Sequence, residues 1–135
     1  MRVQETLDQP RPVDYPIVLV VEDDASLRML ATDIVEETGL PVLTAANGEE
    51  AVRLLDKHPG IGILFTDINM PGQVDGVALA RIARDRRPSI QLLFVSGYMT
   101  QDPAALPEGG RFFGKPYDVD QISSTLMELG RRFHA

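Results

Sequence analysis

The stretch "IVLVVEDDASLRML", Ile17 to Leu30, decides the fold. Five apolar residues run directly into three consecutive acids, Glu22, Asp23 and Asp24, and the residues after them have the spacing of a helix. An uninterrupted apolar run of this length is typical of a strand that is buried on both faces. A buried strand that ends in negative charge and continues into a helix raises the question of what that charge binds.

Composition limits the classes of protein to consider. The 135 residues, 44% of them hydrophobic, have the size of one domain, so we expect a stand-alone protein without a second output domain. Thirteen basic and twenty acidic residues give a net charge of -7, which argues against nucleic-acid and membrane partners. The chain has no cysteine, which excludes disulfides and thiolate metal sites. Residues 1–16 contain three prolines and no apolar core, which predicts a flexible lead-in to a cytoplasmic protein.

Apolar runs alternate with helical stretches along the rest of the chain, residues 17–135. The runs predict five strands, at Ile17–Val21, Val42–Ala45, Ile61–Phe65, Ile90–Val95 and Arg111–Phe113. A first helix that ends at Gly39 has an apolar stripe made of Leu27, Leu30, Ala31, Ile34 and Val35. Two more helices are predicted after Gly48 and Gly76, and a last one has the stripe Val119, Ile122, Leu126, Leu129 and Phe133. This alternation predicts an α/β fold with a doubly wound parallel sheet of five strands.

Polar side chains follow four of these strands. The first strand ends in the three acids, the third in Asp67, the fourth in Ser96 and the fifth in Lys115. Taken alone, Asp24 is best explained as a helix N-cap, Asp67 as a loop or cap residue, and Lys115 as a surface lysine. Together they meet at one edge of a parallel sheet, which is where such sheets bind ligands. Carboxylates gathered there repel one another and need a cation, and an all-oxygen site suits Mg²⁺.

The motifs "VLVVEDD", "FTDINMPG" with the following "DG", "FVSGY" and "FFGKP" occur in this order between Ile17 and Arg132. With them the chain resembles the receiver domain of two-component response regulators. The resemblance implies a flavodoxin-like, CheY-like fold with strand order 2-1-3-4-5. It also implies that Asp67 accepts a phosphoryl group from a sensor histidine kinase or a histidine phosphotransfer protein. The domain would then signal by protein contact, and would be no enzyme beyond assisting its own phosphorylation and dephosphorylation.

The resemblance also assigns the chemical roles around Asp67. It implies that Mg²⁺ is bound by Asp23, by Asp67 and by the backbone carbonyl of Asn69, while Glu22 holds the metal through water. Lys115 would neutralise the incoming phosphoryl oxygens while the Asp67 carboxylate attacks in line. These assignments agree with the need for positioning and charge neutralisation in phosphoryl transfer.

Further roles concern the response to phosphorylation. By resemblance, the hydroxyl of Ser96 moves toward the phosphoryl group, and Phe112 is the aromatic switch residue that follows it; a permanently buried core phenylalanine is the alternative for Phe112. The resemblance also implies that Asn69 and Tyr98 flank the path of the water that hydrolyses the phosphoryl group, so they would set its lifetime. The resemblance further suggests a cis peptide bond between Lys115 and Pro116.

The sequence departs from the family pattern in two places. The loop "MPGQVDG" after Asp67 has one residue more than the commonest form, which predicts a looser loop. The segment between Ser96 and Lys115 is a few residues short and rich in proline and glycine. Only Asp102–Leu106 can start a helix there, so we expect a very short fourth helix and an altered output surface. Met99 to Gly110 should be the most mobile part of the domain.

Two other classes of function stay open at this stage. A magnesium-dependent phosphatase of the haloacid-dehalogenase type uses similar groups, but there the nucleophile ends the first strand and the acid pair comes late in the chain. A binding module with the receiver fold that is never phosphorylated is the other alternative. A receiver excised from a hybrid kinase also fits the sequence. The sequence names no downstream partner, and it leaves a homodimer open.

Overall fold

The computed structural model describes residues 15–97 and 106–131, in which five strands and four helices alternate, except that no helix is described between the fourth and fifth strands. The elements are β1 (Ile17–Val21), α1 (Ala25–Glu37), β2 (Val42–Ala45), α2 (Gly48–Lys57), β3 (Ile61–Asp67), α3 (Gly76–Arg86), β4 (Gln91–Ser96), β5 (Arg111–Gly114) and α4 (Val119–Arg131). The strands pair in parallel in the order β2-β1-β3-β4-β5. The predicted doubly wound sheet with strand order 2-1-3-4-5 is therefore confirmed.

The sheet separates two apolar layers. Side chains of α2 and α3 pack on one face against residues such as Leu19, Leu64 and Phe94. Side chains of α1 and α4 pack on the other face, against residues such as Val18 and Phe65. Every residue of β3 is buried, as expected for a central strand with helices on both sides.

The strand register brings the polar strand ends together. Asp67 at the end of β3 lies beside Val95 of β4, and Ser96 lies beside Gly114 at the end of β5. The backbone N–H of Lys115 then donates to the carbonyl of Ser96 at 2.8 Å. The ends of four neighbouring strands thus form one edge, and the chemistry of the fold is concentrated there.

Side-chain caps fix where the helices begin. The Asp24 carboxylate accepts a hydrogen bond from the backbone N–H of Leu27 at 2.9 Å, which confirms its predicted role as N-cap of α1. Asn47 and Asp75 cap α2 and α3 in the same way. At the other end of α1, Gly39 has a φ of 86°, a left-handed conformation that favours glycine.

Two predicted stripe positions are exposed rather than buried. Leu30 is 42% exposed because successive helix residues are about 100° apart, which puts it at the edge of the stripe that is centred on Ala31 and Val35. Val119 is also 42% exposed, because it is the first residue of α4. The predicted strand boundaries differ from the observed ones by one or two residues at β3, β4 and β5.

Several expectations lie outside the described residues. These are the flexible lead-in up to residue 14, the short helix at Asp102–Leu106 except for its last residue, the position of Tyr98, and the last stripe residue, Phe133. Mobility of Met99 to Gly110 also stays a prediction. Among the described residues, no helix combines the length and the apolar character needed to cross a membrane.

Candidate functional site

Three carboxylates converge at the edge of the sheet where the strands end. Oxygens of Glu22, Asp23 and Asp67 all lie within 4.8 Å of one another. Glu22 and Asp67 are buried, whereas Asp23 is exposed. Glu22 directly follows β1 and Asp67 ends β3, so the pairing of these two strands explains why residues distant in sequence meet. The predicted acidic site is therefore assembled by the fold.

Lys115 bridges the two buried carboxylates. Its Nζ lies 2.9 Å from Glu22 Oε1 and 3.0 Å from Asp67 Oδ2. Burial disfavours the ammonium, but the hydrogen bonds and the negative charges of both carboxylates outweigh it and raise the pKa of Lys115. Lys115 is therefore held as a cation at the position where negative charge is concentrated.

Glu22 is held on three sides. Besides Lys115, the backbone N–H of Asp24 donates to Glu22 Oε2 at 3.2 Å, and the Arg28 guanidinium donates to the Glu22 carbonyl at 2.8 Å. Burial raises the pKa of Glu22, and the hydrogen bond from Lys115 opposes this effect. Arg28 was not among the predicted site residues. The only signal in the sequence is a basic residue one turn into the helix that follows the acids.

Asn69 contacts both Asp67 and Ser96. Its backbone N–H donates to Asp67 Oδ1 at 3.1 Å, and its side-chain Nδ2 donates to Ser96 Oγ at 2.8 Å. Ser96 is only 1% exposed. The sequence predicts that all three residues belong to the site. The bond between the two side chains was not predicted, because it depends on how β3 and β4 are aligned.

The loop between β3 and α3, together with the first residue of α3, packs closely against the end of β3 and the start of α2. The backbone of Gly76 packs so closely that a Cβ there would lie 2.1 Å from the Asp67 carbonyl oxygen. A Cβ on Gly48 would similarly lie 2.2 Å from the carbonyl oxygen of Val74 in the loop, and the Glu49 carboxylate accepts from the backbone N–H of Gln73 at 3.3 Å. These contacts place the end of the loop against Asp67 and α2, and the looser loop expected from the extra residue stays a prediction.

Two aromatic residues lie close in sequence to Lys115, on either side of it. Phe112 is half-buried and packs against the α2/α3 layer together with Leu106. Tyr117 is half-buried, packs edge to face on Phe65 with ring centroids 6.2 Å apart, and has a pKa raised by burial. Tyr117 was missed by sequence reasoning, although an aromatic residue two positions after Lys115 was the available signal. The predicted cis peptide bond between Lys115 and Pro116 is confirmed.

The residues present fit a magnesium ion by their chemistry. One ammonium faces three carboxylates, so the cluster carries excess negative charge. All the candidate ligand atoms are oxygens, which is the donor set that Mg²⁺ prefers. The exposed Asp23 leaves the cluster accessible from the solvent side.

Comparisons with known proteins agree with this geometry. The family model for the response regulator receiver domain matches residues 18–126. Sensor kinase CckA of Brucella abortus is 35% identical over 117 residues, which cover 83% of this chain and 12% of CckA. Response regulator receiver protein CpdR of the same organism is 28% identical over 116 residues, which cover 83% of this chain and 94% of CpdR.

A solved structure supports the same assignment. The crystal structure of the receiver domain from hybrid histidine kinase CckA is 32% identical, with a TM-score of 0.70, over 84% of this chain and 97% of that structure. The family match begins in β1 and ends within α4, so it includes Glu22, Asp67, Ser96 and Lys115. The chain therefore belongs to the response regulator receiver domain family of two-component signalling.

Proposed function

We propose that this chain is a phosphoacceptor in which Asp67 takes a phosphoryl group from a phosphohistidine of a sensor kinase or a phosphotransfer protein. The observation that carries the proposal is the bridge from Lys115 Nζ to Asp67 Oδ2 and Glu22 Oε1. A buried carboxylate that keeps its nucleophilic oxygens beside a fixed cation is suited to attack phosphorus, because the cation offsets the charge of the phosphoryl oxygens.

The backbone around Asp67 keeps the nucleophile in place. The Asn69 N–H donates to Asp67 Oδ1, and the backbone of Gly76 packs closely against the Asp67 carbonyl. Phosphoryl transfer needs an in-line approach and little covalent assistance from the protein, so this positioning is a large part of the catalysis. In the transfer, the bond from phosphorus to the donor nitrogen breaks while the bond to the carboxylate oxygen forms.

Asp23, Asp67 and the Asn69 carbonyl would hold Mg²⁺, with Glu22 reaching it through water. Both Glu22 oxygens already accept hydrogen bonds, from Lys115 and from the Asp24 N–H, which favours the indirect role of Glu22. Asp23 is exposed at the rim, where a hydrated ion enters. When bound, Mg²⁺ would supply positive charge that offsets the charge of the phosphoryl oxygens.

Ser96 and Phe112 would change position when Asp67 is phosphorylated, and their movement would alter the surface of the protein. A phosphoryl group at Asp67 adds charge and acceptor oxygens, which attract the Ser96 hydroxyl and Lys115. Phe112 precedes Lys115 by three residues and is half-buried, so it has room to pack differently when the Ser96 end of β4 moves. Downstream signalling would then occur through protein contact.

An exposed apolar surface lies beside the site. Met29 is 68% exposed and Leu30 is 42% exposed, in the first two turns of α1, which begins next to the acids. Apolar side chains at the rim of a polar site are suited to dock a protein donor while its phosphohistidine reaches Asp67. We propose that the phosphodonor binds there.

Labelling by acetyl phosphate tests the proposal. We expect wild type to incorporate phosphate in the presence of Mg²⁺, and we expect Asp67→Asn and excess EDTA to abolish incorporation. A phosphatase would instead turn over a generic phosphate ester, and a binding module that is never phosphorylated would incorporate nothing. Undiminished labelling in EDTA or in Asp67→Asn would contradict the assignment.

A further inference from the structure

The hydrogen bond between Asn69 and Ser96 connects two strand ends across the site. We propose that the Asn69 side chain is a positioning residue that restrains Ser96 in the resting state, so that phosphorylation must break this bond to switch the domain. The inference rests on the proposed phosphoacceptor role of Asp67. It concerns the regulation of the site and assigns Asn69 a role distinct from any contact with water or with the phosphoryl group.

Backbone contacts hold the two partners in register. The N–H of Ile68 donates to the Val95 carbonyl at 2.9 Å, and the N–H of Lys115 donates to the Ser96 carbonyl at 2.8 Å. Asn69 is further tied to the nucleophile through its own N–H at Asp67 Oδ1. The backbone therefore keeps the Asn69 amide within reach of the Ser96 hydroxyl. Forming the bond then costs only the rotamer entropy of the two side chains.

The bond is sheltered at its Ser96 end, whereas Asn69 is exposed. Ser96 is 1% exposed, and the distance of 2.8 Å from Asn69 Nδ2 to Ser96 Oγ is at the short end for an amide donor. A hydrogen bond with one buried partner is partly protected from competition by water. The resting position of Ser96 is therefore stabilised by a contact that involves neither Lys115 nor a metal.

A phosphoryl group on Asp67 draws the same hydroxyl away from Asn69: Ser96 Oγ accepts from Asn69 Nδ2 in the resting state, and its O–H would donate to a phosphoryl oxygen in the switched state. To donate to a phosphoryl oxygen, Ser96 must move toward Asp67, and that movement lengthens its bond to Asn69 Nδ2. The equilibrium between resting and switched states is then biased toward rest by about three- to tenfold, which is the factor expected for one net hydrogen bond. A ligand that mimics the phosphoryl group must overcome this bias, so its apparent affinity is reduced by the same factor.

A double-mutant cycle with beryllofluoride tests the restraint. Beryllofluoride mimics a phosphoryl group on a carboxylate, and it would be titrated in the presence of Mg²⁺ into wild type, Asn69→Ala, Ser96→Ala and the double variant. We expect Asn69→Ala to bind about three- to tenfold more tightly than wild type. In the Ser96→Ala background the same substitution should have no effect, since the hydroxyl that it releases is missing. Alanine keeps the backbone N–H and carbonyl of residue 69.

Two further measurements separate the restraint from general loosening. Asn47→Ala removes the chain's other asparagine side chain, whose oxygen accepts from the N–H of Glu50 at 2.8 Å, and should leave beryllofluoride affinity unchanged. In the absence of metal and phosphate, NMR resonances of Phe112 in Asn69→Ala should shift toward their positions in the beryllofluoride complex. This readout does not depend on turnover or on Mg²⁺.

The outcomes distinguish the restraint from the function on which it rests. Unchanged or weaker binding in Asn69→Ala, or an equal gain in the Ser96→Ala background, would overturn the restraint and leave the phosphoacceptor role intact. Failure of wild type to bind beryllofluoride would overturn both proposals. Tighter binding that is lost in the double variant, together with the NMR shift, supports the restraint.

Discussion

At the scale of single residues, the site depends on one lysine. Glu22 and Asp67 are both buried, and the Nζ of Lys115 lies within 3.0 Å of each. Two buried carboxylates without this cation would face each other with little solvent to screen them. We therefore expect Lys115 to contribute to the stability of the fold as well as to the proposed phosphoryl transfer.

Replacing Lys115 by methionine should destabilise the protein in the absence of Mg²⁺ by about 2–4 kcal/mol, since it leaves two buried carboxylates unpaired. Urea denaturation measures this change in the free energy of unfolding. Addition of Mg²⁺ should recover part of the loss. Lys57→Met is the matched control, because Lys57 is exposed at the end of α2. Equal stability losses in the two variants would contradict this account.

A second prediction at this scale concerns Gly76. Alanine there would place a Cβ 2.1 Å from the Asp67 carbonyl oxygen and 2.6 Å from the Cα of Ile68, both backbone atoms that cannot turn aside. Helix propensity favours alanine by up to about 1 kcal/mol, but overpacking costs about 1–3 kcal/mol and displaces the nucleophile. We expect Gly76→Ala to slow phosphorylation by acetyl phosphate by about tenfold or more.

Gly114→Ala is the control for the Gly76 variant, since a Cβ at Gly114 would meet nothing within 4 Å. Its phosphorylation rate should stay within a factor of about two of wild type, as expected for a surface substitution that is free of clashes. Comparable rates in the two alanine variants would show that the close contact with Asp67 is unimportant.

Much of the site was predictable at the residue scale, and the reason is topological. The parallel sheet alone places four polar residues at one edge, because each is the last residue of a strand or follows one closely: Glu22, Asp67, Ser96 and Lys115. The contacts from Arg28, from Gly76 and between Asn69 and Ser96 were not predictable. They depend on side-chain reach and on backbone separations of a few ångströms, which residue spacing does not encode.

At the scale of elements, the junction of β1 and α1 gives neighbouring acids different roles. Asp24 faces the helix and accepts from the N–H of Leu27, whereas Asp23 faces the carboxylate cluster. The same junction starts the helix whose stripe was only partly predicted, since Leu30 is exposed. Helical spacing locates the centre of a stripe well. It locates the edges poorly, because burial there depends on the neighbouring element.

Alanine substitutions should separate these two acids. Asp23→Ala should abolish the increase in melting temperature that Mg²⁺ produces in wild type, because binding to the native state is the source of that increase. Asp24→Ala should lower the free energy of unfolding by about 1 kcal/mol through loss of the N-cap and should keep the response to Mg²⁺. Differential scanning calorimetry with and without Mg²⁺ measures both effects. The same Mg²⁺ response in the two variants would contradict the division of roles.

At the scale of the whole molecule, the sheet has two ends with different surfaces. The strand ends that bear Asp67 and Lys115 are polar, and α1, which begins at this end of the sheet, exposes Met29. The opposite end has a shallow groove that is lined by Leu40 and Met127, among other residues. Strand order and layers were predictable from alternation, but which apolar side chains stay uncovered was not, because that depends on how far each helix extends past the sheet.

A charge placed on each of these surfaces tests where the phosphodonor docks. Met29→Asp should reduce the rate of phosphoryl transfer from a protein donor by about tenfold or more, as expected for an apolar anchor, and should leave the rate with acetyl phosphate unchanged. Met127→Asp is the control, since Met127 is 48% exposed at the other end of the sheet. Equal rates of transfer to the two variants would place the docking surface elsewhere.

The most direct test of the central claim is to locate the phosphoryl group itself. Wild-type protein would be phosphorylated by acetyl phosphate with Mg²⁺, reduced with borohydride to trap the acyl phosphate, digested, and sequenced by mass spectrometry. The account predicts one modified residue, Asp67, on the peptide that contains "FTDINMPG". Modification of Ser96, of Asp23 or of any other residue in place of Asp67 would contradict it.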